Sequence, residues 1–500
     1  MITTRASGIL LHPTSLPGQS GSGDFGSGAY QFVDWLVEAG QSYWQMLPLG
    51  EVDDSNSPYA SNSAFAGNHL MIDLEELEKQ GWLKSDELIP NPEFNADRAH
   101  FDLVKPYRME RLQLAAQRFF SNPASSAYSD YLQFSESEKH WLDDFALFKA
   151  IEHHEQRRAW DQWPEELVKR DPSALAAAGL KYKDEVDFCK FCQWNFSRQW
   201  LSLKKYANER GIRIIGDVPI FVSYQSADVW EHQKLFELDA NGRPIVVAGV
   251  PPDYFSETGQ LWGNPLYHWD AHEDSNYAWW IARLKHAFQL FDLVRIDHFR
   301  GFASYWATPA GAPNAIGGEW IPGPGEKLFV AFQESFGVLP IIAEDLGLIT
   351  PDVIELRDKF NLPGMRILQF AFGDNDSNYF LPHHYITNTV AYTGTHDNDT
   401  TLGWWNTAGE HEKSFAKFYL HSDSKEINWD MMSALAKSAA NTVIFPLQDV
   451  MGLGSPDRMN FPGTPWGNWE WRFTWQRVQD WQTERLREFT NSHKRNPRIA

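Results

Sequence analysis

Eight short apolar runs, spread through 500 residues, limit the possible folds of this chain more than any other feature. Each run ends in a polar residue, Pro or Gly, and segments with helical periodicity lie between the runs. Their Val, Ile and Leu content without regular alternation is typical of strands buried on both faces of a parallel sheet. The predicted strands are Gly8–His12, Tyr43–Pro48, Ile212–Asp217, Asp292–Asp297, Ile341–Glu344, Met365–Phe370, Val390–Thr395 and Thr442–Leu447.

Eight strands that alternate with helices match a closed barrel of the (β/α)8 type, which we predict as a single α/β catalytic domain over residues 1–500. The intervening segments show apolar residues at helical spacing, and one of them begins with Pro at the first helical position. The predicted helices include Tyr30–Ala39, Phe101–Phe120, Lys139–His154, Tyr277–Phe291, Glu326–Phe336 and Pro351–Phe360.

Two connections are too long for simple crossovers. Residues 49–211, after the second strand, are predicted to form a mainly helical inserted subdomain. Residues 218–291, after the third strand, are rich in Gly, Pro and aromatic residues, and we predict an inserted substrate-binding subdomain built from loops, with an aromatic loop at 250–260. No separate C-terminal β-sandwich domain is predicted, and residues 495–500 are expected to fray.

The charge balance excludes some partners. The chain has 44 Lys+Arg against 66 Asp+Glu, a formal net charge of −22, whereas nucleic acids and anionic membranes favour clustered positive charge. No run approaches the roughly 18 apolar residues of a membrane span. Cys189 and Cys192 lie in a predicted helix and are interpreted as two thiols on one helix face. We therefore expect a cytoplasmic protein that binds neither nucleic acid nor a membrane.

Acidic residues follow several of the predicted strands. Asp217, Asp297 and Glu344 end strands, and Asp397 lies just beyond the seventh. Each of them alone is also explained as a cap on the following helix. Because catalytic groups of (β/α)8 barrels gather at the carboxyl ends of the strands, the four together predict one acidic cleft. Crowded carboxylates raise the pKa of at least one of them, which produces the acid and base pair of glycoside chemistry.

Strand geometry separates the roles of these groups. Arg295 and Asp297 are two residues apart and point the same way, so the guanidinium is expected to keep Asp297 ionised, as a nucleophile requires. Glu344 and Asp345 are adjacent and point to opposite faces, and we assign Glu344 to the cleft because its longer side chain reaches a leaving-group oxygen. Aromatic residues, 15% of the chain, offer flat apolar faces that suit sugar rings.

The segments that carry these residues resemble a known family. Four segments of this chain resemble, in order, the four signature segments of the α-amylase clan. They are Gly216–Val222, Val294–Gly301, Ile342–Gly347 and Tyr392–Asp399. Four further segments resemble one family of this clan, the amylomaltases, which are 4-α-glucanotransferases. They are Ser57–Tyr59, Ser63–Asn68, Gly249–Gln260 and Trp262–Tyr267. The similarity extends over nearly the whole chain, from Gly8–Pro17 to Arg458–Gly463.

The resemblance implies a role for each matching residue. The implied catalytic groups are Asp297 as nucleophile, Glu344 as general acid/base and Asp397 as the carboxylate that stabilises the transition state through sugar hydroxyls. The implied substrate-binding residues are Arg295, His396, Asp217, Tyr59, Ser57, Asp253, Tyr254, Phe255, Gln260, Trp262, Asp374 and Asn468. The expected partners are an α-1,4-glucan donor and an α-1,4-glucan acceptor. We expect no cofactor, no metal in the site, and a monomer or weak homodimer.

Three functions fit these residues. In the leading one, a glucosyl-enzyme on Asp297 is intercepted by the 4-hydroxyl of another glucan. In the alternative, a retaining α-1,4-glucan hydrolase of the amylase type, water takes the place of that hydroxyl. A carbohydrate-binding protein without activity is the third, and the presence of all three carboxylates argues against it. The aromatic loop Pro251–Gln260 separates the first two, because it can hold an acceptor and exclude water.

Tyr254 and Phe255 are predicted to govern transfer rather than bond cleavage. Water at roughly 55 M competes for the intermediate, so a transferase needs an oriented acceptor at a closed site. Each aromatic contact with a glucose face contributes on the order of 1 kcal/mol. Replacing both residues with Ala should therefore raise the ratio of hydrolysis to disproportionation, measured from glucose and oligosaccharide release. Equal loss of both activities would instead identify a general donor-binding element.

Overall fold

The computed structural model describes residues 4–252, 256–464 and 466–499. Within them, the strands are β1 (Ala6–Leu10), β2 (Tyr43–Gln45), β3 (Arg213–Pro219), β4 (Val246–Val250), β5 (Gln260–Pro265), β6 (Leu293–Asp297), β7 (Ser304–Pro309), β8 (Glu319–Pro322), β9 (Ile341–Ala343), β10 (Gly364–Ile367), β11 (Thr389–Tyr392) and β12 (Thr442–Pro446). The α-helices are α1 (Ser27–Glu38), α2 (Leu74–Lys79), α3 (Phe101–Phe120), α4 (Ser126–Ser137), α5 (Lys139–His154), α6 (Glu165–Val168), α7 (Pro172–Lys181), α8 (Lys183–Glu209), α9 (Ala227–Glu231), α10 (Trp269–Asp274), α11 (Ala278–Leu290), α12 (Glu326–Phe336), α13 (Pro351–Lys359), α14 (Thr401–Thr407), α15 (Glu410–Leu420), α16 (Ile427–Lys437), α17 (Leu447–Met451) and α18 (Asp480–Ser492).

Eight of these strands close into a parallel barrel in the order β1-β2-β3-β6-β9-β10-β11-β12. The first and last strands pair with each other, with Ala6 opposite Thr442. Residues on these strands are buried almost throughout, because the barrel interior covers one face and the surrounding helices cover the other. The predicted (β/α)8 fold is confirmed, and each of the eight predicted runs overlaps one barrel strand.

Helices α2 to α8 occupy the chain between β2 and β3. The longest of them, α8, packs against α1 beside the barrel and against α5. Aromatic rings fill this layer, as where Phe119 lies 5.1 Å from Phe191 between ring centroids. Cys189 and Cys192 are free thiols on α8, and burial raises the pKa of Cys189 to about 12. A helical segment matches the expectation for this region, and its description as a separate subdomain stays a prediction.

A second sheet differs from the predicted loops between β3 and β6. Strands β4 and β5 lie there and pair with β7 and β8, which follow β6, in the antiparallel order β5-β4-β7-β8. The prediction of a rim built only from loops is therefore wrong for this segment. Its strands are short and contain Gly and Pro, which hides their pattern. At Gly249, a Cβ atom would lie 2.4 Å from the carbonyl oxygen of Gln260, so the close approach of β4 and β5 requires glycine.

The chain after β12 returns to the barrel. The described residues from 447 onward contain the helices α17 and α18 and no β-strand. The expected fraying is wrong at Arg495, which is fully buried. Its guanidinium donates to backbone carbonyls beside the β1–β12 seam, including Ala440 at 3.0 Å and Ala436 at 2.9 Å. This satisfies both the buried charge and the carbonyls.

No helix in the described part of the chain is both long and apolar enough to cross a bilayer.

Candidate active site

Four barrel strands bring acidic side chains to one mouth of the barrel. Asp217 lies on β3, Asp297 ends β6, Glu344 follows β9, and Asp397 lies in the loop after β11. The strands β3, β6 and β9 are direct neighbours in the barrel, so three of these groups come from adjacent strands. The carboxyl ends of parallel strands share one edge, which is why residues far apart in the sequence meet here.

The Arg295 guanidinium joins two of the carboxylates. Its Nη1 lies 2.6 Å from Asp217 Oδ2, and its Nη2 lies 2.8 Å from Asp297 Oδ1. Burial raises the pKa of Asp217, and the Arg295 charge opposes that rise. Arg295 and Asp217 are buried, whereas 31% of the Asp297 side chain is exposed. The guanidinium therefore bridges the two carboxylates with one contact to each, and it holds the accessible Asp297 beside a buried cation.

Glu344 has the environment of a proton donor. Its Oε2 accepts the backbone N–H of His298 over 2.7 Å, and its Oε1 accepts that of Leu346 over 3.0 Å. Burial raises the pKa of Glu344 to about 8, with Arg295 opposing the rise and the Asp297 charge adding to it. The carboxyl is therefore protonated near neutral pH, while the neighbouring Asp297 is paired with a cation.

The neighbouring Asp345 makes a separate set of contacts. Its Oδ1 accepts the Met365 N–H at 2.6 Å, and its Oδ2 pairs with Arg357. The two adjacent carboxyls are therefore bonded to different parts of the barrel, as strand alternation predicts.

Asp397 lies in a polar setting. Its Oδ1 accepts the Asn460 side-chain N–H over 2.6 Å, and its Oδ2 lies 3.2 Å from His396 Nε2. Desolvation raises the pKa of Asp397, but His396 and Asn460 lower it by more, so the net pKa is well below the usual range. This carboxylate therefore stays ionised while Glu344 is protonated.

Aromatic rings line the cleft beside these groups. Tyr59 donates its hydroxyl to Asp217 Oδ2 over 2.8 Å. Its ring stacks on His396 at 5.1 Å between centroids with a 16° interplanar angle. The Trp469 ring lies 6.0 Å from the rings of both Tyr59 and His396. These three rings form one wall on the side of Asp217.

Two buried polar atoms of the described site have no protein partner. They are Asp217 Oδ1 and His298 Nε2. His298 directly follows Asp297 and has a left-handed backbone, φ 53°, which aims its N–H at Glu344. Burial lowers the pKa of His298 to about 4, so its imidazole is neutral. Unpaired buried polar atoms are costly, and a ligand with hydroxyl groups would satisfy both.

The remaining predicted contacts differ in how close they come to the carboxylates. Trp262, on β5, places its ring 4.8 Å from the His298 ring and donates to Gln260 Oε1 over 3.1 Å. Ser57 Oγ accepts the Tyr59 N–H at 3.3 Å and so supports that ring. The structure thus brings Trp262 and Gln260 to the edge of the site, and Ser57 beneath Tyr59.

Two predicted residues lie in outer loops. Asp374, in the exposed loop after β10, accepts from Asn375 at 3.1 Å and makes no hydrogen bond with the four carboxylates in the described structure. Asn468 closes the loop before Trp469 by accepting the Phe461 N–H at 2.8 Å and donating to the Thr464 carbonyl at 2.8 Å. Asp253, Tyr254 and Phe255 lie outside the described residues.

Sequence reasoning missed three residues of this site: His298, Asn460 and Trp469. The signal for His298 was its position directly after Asp297 in the same motif. Asn460 and Trp469 come from the segment after β12, and only the folded chain places them beside Asp397 and His396. No group of three or more His, Cys, Asp or Glu in the described residues has the arrangement of a metal site.

Comparison with known proteins identifies the family. The family model described as 4-alpha-glucanotransferase matches residues 11–478. The chain belongs to the 4-alpha-glucanotransferase family. A 4-alpha-glucanotransferase of Thermus thermophilus is 49% identical over 98% of this chain and 99% of its own length. One of Solanum tuberosum, described as chloroplastic/amyloplastic, is 46% identical over 94% and 82%.

A solved structure supports the same family. The amylomaltase from Streptococcus agalactiae in complex with acarbose has a TM-score of 0.95 and 39% sequence identity, covering 98% of this chain and 99% of that chain. The predicted resemblance to amylomaltases is confirmed. In this member of the 4-alpha-glucanotransferase family, the carboxylate cluster therefore lies on a fold that is similar to that amylomaltase over 98% of the chain.

The raised pKa of Glu344 predicts a pH-dependent stability difference. Folding favours the protonated form of Glu344, so this group stabilises the folded state. Its contribution is complete below about pH 4.5, the pKa of Glu344 in the unfolded chain, and is lost as the pH rises through about 8, its pKa in the folded chain. Glu344→Gln cannot ionise. Its melting temperature relative to wild type should therefore rise between about pH 5 and pH 9. The corresponding change in the difference between the two free energies of unfolding is at most about 5 kcal/mol. A difference that stays constant with pH would contradict the assignment, and Asp143→Asn, at an exposed position on α5, is the control.

Proposed function

We propose that this chain transfers α-1,4-glucan segments from a donor to the 4-hydroxyl of an acceptor glucan, by a retaining double displacement. The proposal rests mainly on one observation: a cation-paired, partly accessible carboxylate, Asp297, lies beside a buried carboxyl, Glu344, whose pKa is raised to about 8. A nucleophile must be ionised and a general acid must be protonated at the same pH. The environment of Glu344 favours the protonated state, and the Arg295 guanidinium lies in contact with Asp297.

The first displacement forms a covalent intermediate. An Asp297 oxygen attacks the anomeric carbon of the donor, and the bond from that carbon to the glycosidic oxygen breaks. Glu344 gives its proton to the departing oxygen, so the leaving glucan carries a free 4-hydroxyl and Glu344 becomes a carboxylate. The ionised Asp397 stabilises the positive charge that develops on the sugar.

The second displacement restores the enzyme. Glu344, now a base, takes the proton of the acceptor 4-hydroxyl. The oxygen of that hydroxyl attacks the anomeric carbon, and the bond from this carbon to Asp297 breaks. Two inversions give net retention of the α-configuration. A retaining pair requires carboxyl groups about 5 to 5.5 Å apart, and this separation stays a prediction.

Recognition of the reacting sugar follows from the unsatisfied atoms. Asp217 Oδ1 accepts a sugar hydroxyl, and neutral His298 Nε2 exchanges a hydrogen bond with another. The Tyr59 hydroxyl is bonded to Asp217, and the Trp262 ring lies beside the His298 ring. Aromatic rings there suit the flat apolar faces of glucose units.

The surroundings of the reaction follow from the same chemistry. Carboxylates provide both the covalent and the proton-transfer steps, so we propose no cofactor and no active-site metal. A net charge of −22 disfavours nucleic acid as a partner. The cytoplasmic location and the monomeric or weakly dimeric state remain proposals, and the Solanum tuberosum relative is described as chloroplastic/amyloplastic.

A hydrolase would use the same residues with water as the acceptor. The shared name of the relatives favours transfer over this alternative. Maltotriose as the sole substrate separates the two reactions, because transfer produces glucose together with longer oligosaccharides, whereas hydrolysis produces maltose and glucose.

We predict glucose and maltopentaose as the first products from maltotriose, followed on a chromatogram over time. Asp297→Ala and Glu344→Gln should each lower turnover by about 10² to 10⁴-fold with the fold intact, because they remove the nucleophile and the proton donor. Asp143→Asn, which removes a remote surface carboxylate, should leave turnover unchanged. Equal amounts of maltose and glucose without longer products would refute transfer, and near wild-type turnover of Asp297→Ala would refute the role of that residue.

A further inference from the structure

The loop between β11 and α14 carries two residues of the site, His396 and Asp397. It begins at Thr393, directly after β11, and ends at Thr401, the first residue of α14. Both threonines are fully buried. Where these two ends lie therefore determines where the Asp397 carboxylate lies relative to Asp297 and Glu344.

One buried carboxylate bonds both ends of this loop. Asp449, on the short helix α17 after β12, is 1% exposed. Its Oδ2 accepts the Thr393 hydroxyl over 2.6 Å and the Thr401 hydroxyl over 2.7 Å. Its Oδ1 accepts the Thr401 backbone N–H over 2.7 Å. The two oxygens thus fasten the start and the end of the loop to one point.

Asp449 is itself held in place. Asn428, on α16, donates its side-chain N–H to the Asp449 backbone carbonyl over 2.8 Å. The carboxylate therefore extends from a backbone that is tied both to β12 and to α16. The Asp449 carboxylate thus connects the loop that follows β11 to helix α17.

The electrostatic setting of Asp449 is unfavourable for a charge. Burial is the main cause that raises its pKa, and the nearby Asp399 charge adds to the rise, while the three neutral donors from Thr393 and Thr401 oppose it. Burying a carboxylate among neutral groups costs stability that an apolar side chain would not cost. A geometric role explains why a carboxylate with two oxygens, each bonded to the loop, stands here.

Other contacts hold this loop as well: Gln369, after β10, donates its backbone N–H to the Thr393 carbonyl at 3.2 Å and its side-chain N–H to the Asp399 carbonyl at 2.9 Å. The Asp449 carboxylate differs because it bonds the Thr393 and Thr401 side chains at both ends of the loop.

Asp397 and His396 bond to each other and to the segment around Asn460, which is also a loop. Loops without a buried anchor move more easily than the strands they connect. A displacement of about 1 Å at a reacting centre can cost about 10²-fold in rate.

We propose that Asp449 is a positioning residue, which holds Asp397 and His396 in register with Asp297 and Glu344 by fastening both ends of the loop from Thr393 to Thr401. The catalytic part of this proposal rests on the proposed function. The fastening itself concerns the chain alone and can be tested without reference to any reaction.

Hydrogen exchange tests the fastening. In Asp449→Ala, the backbone amides of residues 393–401 should exchange faster than in wild type, measured by mass spectrometry of peptides. Asp73→Ala is the matched control, because Asp73 is also buried but caps α2 through the Glu75 N–H at 2.9 Å, outside the site. Unchanged exchange of residues 393–401 in Asp449→Ala overturns the proposal.

A double-mutant cycle tests the catalytic consequence. Asp449→Ala should lower kcat on maltotriose about 10²-fold in the wild-type background. It should have less than about a threefold effect in an Asp397→Asn background, since the carboxylate that it positions is already absent. Loss by general destabilisation would lower both backgrounds equally, and that result overturns the positioning role.

Two further variants keep the test decisive if Asp449→Ala folds poorly. Asp449→Asn should retain most of kcat, because its oxygen still accepts the Thr401 N–H and its amide can donate to both hydroxyls after they rotate. Thr401→Val keeps the shape of the side chain but removes one hydroxyl. It should lower kcat roughly tenfold in the wild-type background but not in the Asp397→Asn background. An inactive Asn variant, or a Thr401→Val variant with full kcat, contradicts the proposal. Hydrolysis without transfer by the wild type would refute the proposed function and leave the exchange result to decide the fastening.

Discussion

A buried guanidinium between two carboxylates organises the mouth of the barrel. Arg295 lies between Asp217 and Asp297, and Tyr59 reaches the same Asp217 oxygen from the segment after β2. Removing one partner of a buried ion pair leaves an uncompensated charge, so the members of this cluster depend on one another. The rigid spacing of β3 and β6 supplies the geometry that makes the pairing favourable.

The chemistry of the site follows from unequal environments around similar groups. Asp297 forms an ion pair with Arg295, and Asp397 is bonded to His396 and Asn460. Glu344 is buried and accepts hydrogen bonds from two backbone N–H groups. The pKa of Glu344 is therefore raised and that of Asp397 is lowered, although both groups are carboxyls. The barrel contributes by placing the ends of neighbouring strands at one edge, and the loops contribute the local polarity.

The barrel and the carboxylates could be predicted from the sequence because each leaves a local signal. A run such as Thr442–Leu447 is apolar throughout, as a doubly buried strand requires, and Asp297 stands at the end of such a run. Strands β4 and β7 were missed because their pairing is non-local and their Gly and Pro content resembles a loop. Asn460, Trp469 and Asp449 were missed for a related reason: each acts on a residue about 50 or more positions away, and only folding brings them together.

The most direct test of the account is the covalent intermediate on Asp297. An activated maltotriosyl fluoride that lacks its terminal 4-hydroxyl needs no proton donor to react and cannot serve as an acceptor. In Glu344→Gln, which also lacks the base for the second step, the glycosyl-enzyme should accumulate. Mass spectrometry of a proteolytic digest should find one deoxymaltotriosyl adduct on the peptide that contains Asp297. An adduct on a different carboxylate, or fluoride release with no adduct in this variant, would contradict the claim that the Arg295-paired Asp297 is the nucleophile.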